Sequence, residues 1–354
     1  MGQGSGDEGY EGYEGVGNRE MKKYLIFIIA ALILLTACKQ TERAPETMGD
    51  LPPVNTATEN TPPADTPPAN MPPANTLPAN TPPVAGGFRF TIENMPIIDG
   101  STATIPLIGA VYSVLLGIPR SQADTMVSIS GTDHAYLQLI NSKADILLVY
   151  SPSPYSHFIA ETEGVEFEMA AIGRDGLVFL VNILNPVMSL RPEQIVSIYS
   201  GETANWKEVG GVDIDIIAFQ RPYLSGSQTM MDELVMKDVP MAETEVEYII
   251  GEMGGLVYAV ASFDNAESAI GYNVYYFVSK MEMNEKVRML AVGGVDPSTE
   301  SISDGSYPFV SDFYAVIRKD APEDSPERIL FNWIQSADGQ NLVRYEGYAI
   351  ANDD

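Results

Sequence analysis

The chain has 354 residues, enough for two domains, and 45% of them are hydrophobic, ample for a core. Lys and Arg number 20 against 48 Asp and Glu, a formal net charge of −28, and outside the N-terminal apolar segment the cations form no cluster, which excludes a nucleic-acid partner. The same charge repels small anions at long range, so any anion site must draw on local hydrogen bonds, dipoles and single cations.

In chain order, Met21-Lys22-Lys23, the apolar run Tyr24 to Leu34 and then Leu35-Thr36-Ala37-Cys38 carry the charged, apolar and small-residue regions of a secretory signal. About 14 apolar residues fall short of the ~20 that a spanning helix needs. Cys38 is the only cysteine, so no disulfide forms within one chain. Residues 1–20, rich in Gly, Glu and Tyr, would obstruct a positive signal region, which makes Met21 the expected initiator and 21–37 the expected signal. Residues 38–87 read as a Pro-rich tether: Thr61-Pro62-Pro63-Ala64-Asp65 recurs as Thr66-Pro67-Pro68-Ala69-Asn70 and Met71-Pro72-Pro73-Ala74-Asn75. Such a repeat is extended and solvated, and at ~3 Å per residue it reaches on the order of 100 Å.

From Phe88 onward short apolar strands alternate with helical stretches, the pattern of an α/β fold. Strands are predicted over Phe88 to Ile92, Ile146 to Tyr150, Leu177 to Asn182, Asp215 to Phe219 and Phe313 to Ile317. Helices are predicted over Pro106 to Gly117, Pro192 to Ser200, Thr229 to Met236 and Pro326 to Ser336. Three helix starts stand out. Thr104 sits at an N-cap before Pro106, Ser130-Gly131-Thr132-Asp133 leads into a helix over His134 to Asn141, and Arg221 precedes Ser227 and Thr229 at the start of a third. Each alone reads most simply as an ordinary cap. Together they can converge on one anion, because free N–H groups and the positive end of the dipole gather at helix starts and Arg221 adds a planar cationic fork.

Catalytic patterns are missing. His134 and His157 lack metal-ligand spacing, there is no Walker loop or nucleophile elbow, and among so many acids a carboxylate pair at helical spacing reads as a solvated face. The expectation is a protein without catalytic residues, cofactor or metal.

Two resemblances extend this reading. Cys38 directly after Leu35-Thr36-Ala37 resembles a bacterial lipobox, which implies cleavage before Cys38, diacylglycerol and palmitate-type acyl chains on that residue, and anchoring at the extracytoplasmic face of the cell membrane. The run Ala171-Ile172-Gly173-Arg174 through Val178 to Asn182, with Asn185-Pro186-Val187, Ile198-Tyr199-Ser200-Gly201, Asn205-Trp206-Lys207-Glu208-Val209-Gly210-Gly211 and Arg221 to Thr229, closely resembles phosphate-type periplasmic binding proteins, the receptors of bacterial phosphate ABC transporters. The similarity covers nearly all of residues 88–354.

That resemblance implies a two-lobed type II binding-protein fold hinged on two crossing strands, with lobe I at 88–172 and 306–354 and lobe II at 173–305. It implies phosphate or a similar oxyanion as ligand, and an ABC permease and ATPase as partners. Carried over residue by residue, the first phosphate loop falls on Thr104 and Ile105, the second on Thr132, and the third on Arg221, Ser227, Gln228 and Thr229. One departure stands out: where the family has an Asp that accepts the proton of monohydrogen phosphate, this chain has Tyr150 or Ser151. Asp145 lies too early on the strand to replace it, while Asp133 beside the second loop is a candidate stand-in. A hydroxyl donates as well as accepts, so weaker rejection of sulfate is expected. The alternative reading is a ligand sensor or surface interaction lipoprotein of the same fold, binding another anion.

Overall fold

A computed structural model describes residues 88–262 and 266–351 of the protein. The leader at 1–20, the signal, Cys38 and the tether up to residue 87 lie outside the described residues. The strand predicted over Phe88 to Ile92 does not form. Phe88 and Phe90 pack edge to face instead, 4.8 Å between ring centroids, and the Thr91 N–H donates to Asn94 Oδ1 at 2.7 Å to close a turn. The first strand, β1 (Ile98–Gly100), comes after that turn and leads through a 3₁₀ turn at Thr102–Thr104 into α1 (Ile105–Leu116). Pro106 fits the first turn of α1, where its missing N–H costs nothing.

The chain continues through α2 (Arg120–Asp124), α3 (Thr132–Ile140), β2 (Ile146–Val149) and α4 (Pro154–Glu163) into the 16-residue β3 (Phe167–Asn182). Next come β4 (Ser189–Leu190), α5 (Pro192–Tyr199), β5 (Ile217–Ala218) and α6 (Gly226–Met230), which runs on as a π-helical segment at Met231–Met236. Then follow α7 (Met253–Ala261), β6 (Ala269–Val274), β7 (Val287–Met289), β8 (Ala291–Val292) and α8 (Thr299–Ser303). β9 (Val310–Arg318), α9 (Pro326–Gln335) and α10 (Ala337–Tyr345) complete the described elements.

The main sheet has the order β1-β2-β9-β3-β6-β5, with β7 also paired to β3. β3 is shared by two half-sheets. Its residues Phe167 to Gly176 pair antiparallel with β9, and Leu177 to Asn182 pair antiparallel with β6 and β7. β1 runs parallel to β2 in the first half-sheet and β5 parallel to β6 in the second. Leu177, Val178, Phe179, Leu180 and Val181 are all fully buried, so this half of β3 is covered on both faces. Its unbroken apolar run is the sequence signal for that burial, and each such side chain contributes roughly 1.5–3 kcal/mol. The first half of β3 is more exposed, has no clean alternation of apolar and polar residues, and reads as a strand only once β9 lies beside it. The result is a mixed α/β, two-lobed fold. Among the described residues no helix is long and apolar enough to cross a membrane.

Candidate functional site

A cavity of about 390 Å³ opens where β1, β2, β5 and β6 end. Ligands in open α/β sheets lie at such places, beyond the carboxyl ends of strands. From the first half-sheet it is lined by Ser101 and Thr102 after β1, by Ser130, Gly131 and Thr132 at the start of α3, and by Tyr150 at the end of β2. From the second it is lined by Arg221, by Ser225, Gly226 and Ser227 at the start of α6, and by Glu252 and Met253 at the start of α7.

Short polar links hold these starts together. Asp99, buried at the end of β1, accepts from the Gly100 N–H and the Ser130 N–H, each at 2.7 Å, tying the first loop to the second. Gly131 donates its N–H to Gly100 O at 3.1 Å and caps α3 with φ of 84°, a left-handed conformation that favours glycine. The hydroxyls of Ser101 and Thr132 lie 2.9 Å apart. At Gly226 an added Cβ would collide with the Thr132 side chain, so glycine here lets the start of α6 approach that of α3 across the cavity.

Arg221 is 7% exposed. Its Nε donates to Ser227 Oγ at 3.3 Å and its Nη1 to Ile250 O at 2.7 Å, while its backbone N–H donates to Tyr272 Oη at 3.0 Å. Among the described residues no carboxylate forms an ion pair with it. Burial pulls its guanidinium below the ordinary arginine range, with Tyr272 and Glu252 acting in the opposite direction. A buried cation held only by neutral groups gains most from an anion brought to it, since charge-assisted, bidentate contacts are the strong ones.

Of the residues read from sequence, Thr132, Arg221, Ser227 and Tyr150 line the cavity, and Thr104, Ile105, Gln228, Thr229 and Ser151 do not. Thr104 is fully buried and turns its hydroxyl to Ser101 O at 2.8 Å and Leu148 O at 2.7 Å; from this loop it is Ser101 and Thr102 that line the cavity. Gln228 lies a layer behind the site: its Oε1 accepts from Tyr272 Oη and its Nε2 donates to Asp232 Oδ1 at 2.9 Å. Thr229 points its hydroxyl back at Ser225 O, 3.4 Å away. The helix begins at Gly226 rather than Thr229, with Ser225 as its N-cap accepting from the Gln228 N–H, and the triplet at the cavity is Ser225-Gly226-Ser227. A capping Ser four residues after the arginine was the signal for this register.

Ser151 bonds to Tyr314 and lies outside the lining. Asp133, the candidate stand-in acid, is fully buried and accepts from the Ser153 N–H at 3.1 Å and from the hydroxyls of Ser153 and Ser156, tying α3 to α4. Asp145 accepts from the Ile97 N–H at the start of β2. His134 is exposed at the cavity rim. Among the described residues no cluster of His, Cys, Asp and Glu could hold a metal ion.

Residues 97–335 match the PBP superfamily domain. The phosphate-binding protein PstS of Bacillus subtilis is 24% identical over 260 residues, 72% of this chain and 80% of that protein. The ABC-type phosphate transport receptor of Vibrio cholerae superposes with a TM-score of 0.53 at 22% identity, covering 72% of this chain and 99% of that one. A substrate-binding protein of Clostridium perfringens crystallised with bound phosphate gives 0.55 at 23% identity, covering 73% and 100%. At these identities the two structures speak for the fold.

Proposed function

The chain belongs to the PBP superfamily, and on that premise we propose that it is an extracytoplasmic receptor that captures phosphate and hands it to an ABC permease. The observation that carries this reading is Arg221, a buried guanidinium without a carboxylate partner among the described residues, facing a cavity edged by three helix starts. Phosphate would be held by Arg221, by the hydroxyls of Ser101, Thr102, Thr132, Ser225 and Ser227, and by backbone N–H groups at the starts of the 3₁₀ turn, α3 and α6. The pocket binds and releases; no residue in it is set up to attack a bond.

Lobe I would comprise 88–172 and 306–354 and lobe II 173–305, closing on the ion by rotation about the crossing strands. Close approach of Gly226 to Thr132 supports a closed arrangement of the two rims. Cys38 would carry the lipid, and residues 38–87 would let the receptor stand off the membrane. Titration calorimetry of the purified protein with inorganic phosphate tests the binding claim, with a single saturable site expected and no heat of binding as the contrary result. Cys38→Ala should abolish lipid labelling and release the protein, whereas undiminished membrane retention would argue for an uncleaved anchor.

A further inference from the structure

A second cavity, of about 510 Å³, opens on residues that line no part of the first. One wall carries Lys280, in the last turn of the π-helical segment Phe277–Met281, with Thr299 and Ser303 of α8. The other carries Arg344, in the last turn of α10, and residues that follow it, Tyr348 and Ile350 among them. Gly347 brings the two cations together. Its N–H donates to Arg344 O at 2.9 Å, and its φ of 90° is a left-handed conformation that favours glycine. The Lys280 stem lies across it, with Cε 3.6 Å from the position a β-carbon would take there. Tyr276, just ahead of the π-helical segment, stacks on Tyr348 with 3.6 Å between ring centroids and holds the walls side by side.

Acids outnumber bases in the chain by 48 to 20, yet among the described residues neither Lys280 nor Arg344 forms an ion pair. Arg344 donates from Nη1 to Asn341 Oδ1 at 3.1 Å. The hydroxyls of Thr299 and Ser303, one helical turn apart, have no hydrogen-bond partner among the described residues. The acids beside them in sequence, Glu300 and Asp304, lie outside the lining.

We propose that this cavity is a second anion site, for a small organic acid bearing two or more carboxylates, and that its occupancy favours the closed phosphate cleft. The planar fork of Arg344 suits one carboxylate bidentately and the point charge of Lys280 suits another, with the two hydroxyls as further donors. A tetrahedral ion would leave most of the space empty, whereas Tyr348 and Ile350 offer surface to the carbon skeleton that joins the charges. Regulation follows from position. In the proposed division the Lys280 wall belongs to lobe II and the Arg344 wall to lobe I, and the crossing strand β3 ties them: the Arg174 N–H donates to Ala349 O at 2.7 Å and its Nη1 to Ser303 O at 3.0 Å. A ligand bridging both walls holds the lobes as they stand here, with the cleft rims close at Gly226 and Thr132, and so tightens phosphate as phosphate tightens it. That coupling rests on the phosphate reading; the site does not.

Citrate is the probe, titrated by calorimetry at low ionic strength into protein saturated with inorganic phosphate. A plain oxyanion site would be filled by that phosphate and give no citrate heat. One saturable citrate site is expected in wild type and in Arg221→Ala, and binding at least tenfold weaker in Lys280→Gln and in Arg344→Gln, both exposed positions. In the converse titration saturating citrate should tighten phosphate about fivefold in wild type and leave it unchanged in the variant carrying both substitutions. No citrate heat in wild type, or undiminished binding in the double variant, overturns the site and leaves the two cations as offsets to helix-end dipoles. Citrate binding lost in Arg221→Ala would place the ligand in the phosphate cleft and refute a second site. Citrate binding that leaves phosphate affinity unmoved refutes the coupling. A wild type that binds citrate and no phosphate defeats the phosphate reading and the coupling while the site stands.

Discussion

Arg120 and Arg221 show two ways of keeping a guanidinium out of water. Arg120, at the start of α2, donates to Asp124 at 2.6 Å and to both oxygens of Glu346 at 2.9 and 3.0 Å, with Nη2 on Pro106 O at 2.7 Å. Burial works to lower its pKa, yet Glu346 and Asp124 raise it overall. Arg221 is held by hydroxyl and carbonyl oxygens, and burial wins. Arg328, exposed to the same 7% as Arg221, is paired with Glu168 at 2.7 Å. The fold thus neutralises Arg120 and Arg328 from within, whereas Arg221 at the cavity has no carboxylate partner among the described residues.

Removing a structural cation should cost stability and spare binding. Arg120→Ala strands Glu346, whose side chain is 9% exposed, and should destabilise the protein by about 3 kcal/mol, read as a lower denaturation midpoint. Phosphate affinity of the folded fraction should be unchanged, and a parallel loss of both would erase the distinction between the two arginines.

Asp175 extends the comparison to a buried acid with only neutral partners. Its carboxyl is raised from 3.8 to about 6, so between those values the folded chain holds more protons than the unfolded one and stability falls as pH rises. Over roughly two units the fall is on the order of 3 kcal/mol, and above that window it is complete. Asp175→Asn should lack this component, so its stability relative to wild type should improve from pH 4 to pH 6. A constant difference across that range would show that burial does not shift the group.

Smaller effects separate lining from backing. Ser101→Ala removes one neutral hydrogen bond at the cavity and should weaken phosphate by about 1 kcal/mol in calorimetry. Thr229→Val touches only the Ser225 carbonyl and should leave affinity unaltered. Equal losses would put both residues in the same layer.

These contrasts also mark how far the sequence could be read. The α/β alternation, Arg221, Thr132 and Ser227 were legible because strands, caps and a fixed cation leave local signatures. The register of the first and third loops was not: Thr104 and Ser101 are both plausible caps, and only the proximity of Leu148, brought by β1–β2 pairing, draws the Thr104 hydroxyl inward. The link from Tyr150, just after β2, to Asp175 on β3 joins residues far apart in the chain, and no local pattern announces it. β7 and β8 are too short to carry a period, and the first half of β3 gains its strand character from pairing with β9.

The most direct measurement is phosphate affinity by titration calorimetry for wild type and Arg221→Ala, with thermal melting of both. Loss of the charge-assisted contact should weaken binding by about 2 kcal/mol or more, over tenfold, while the unliganded melting temperature holds or rises because an unpaired buried charge is gone. Phosphate binding of undiminished strength in Arg221→Ala would contradict the account, because the one cation left without a carboxylate partner at this cavity would then have no ligand to meet.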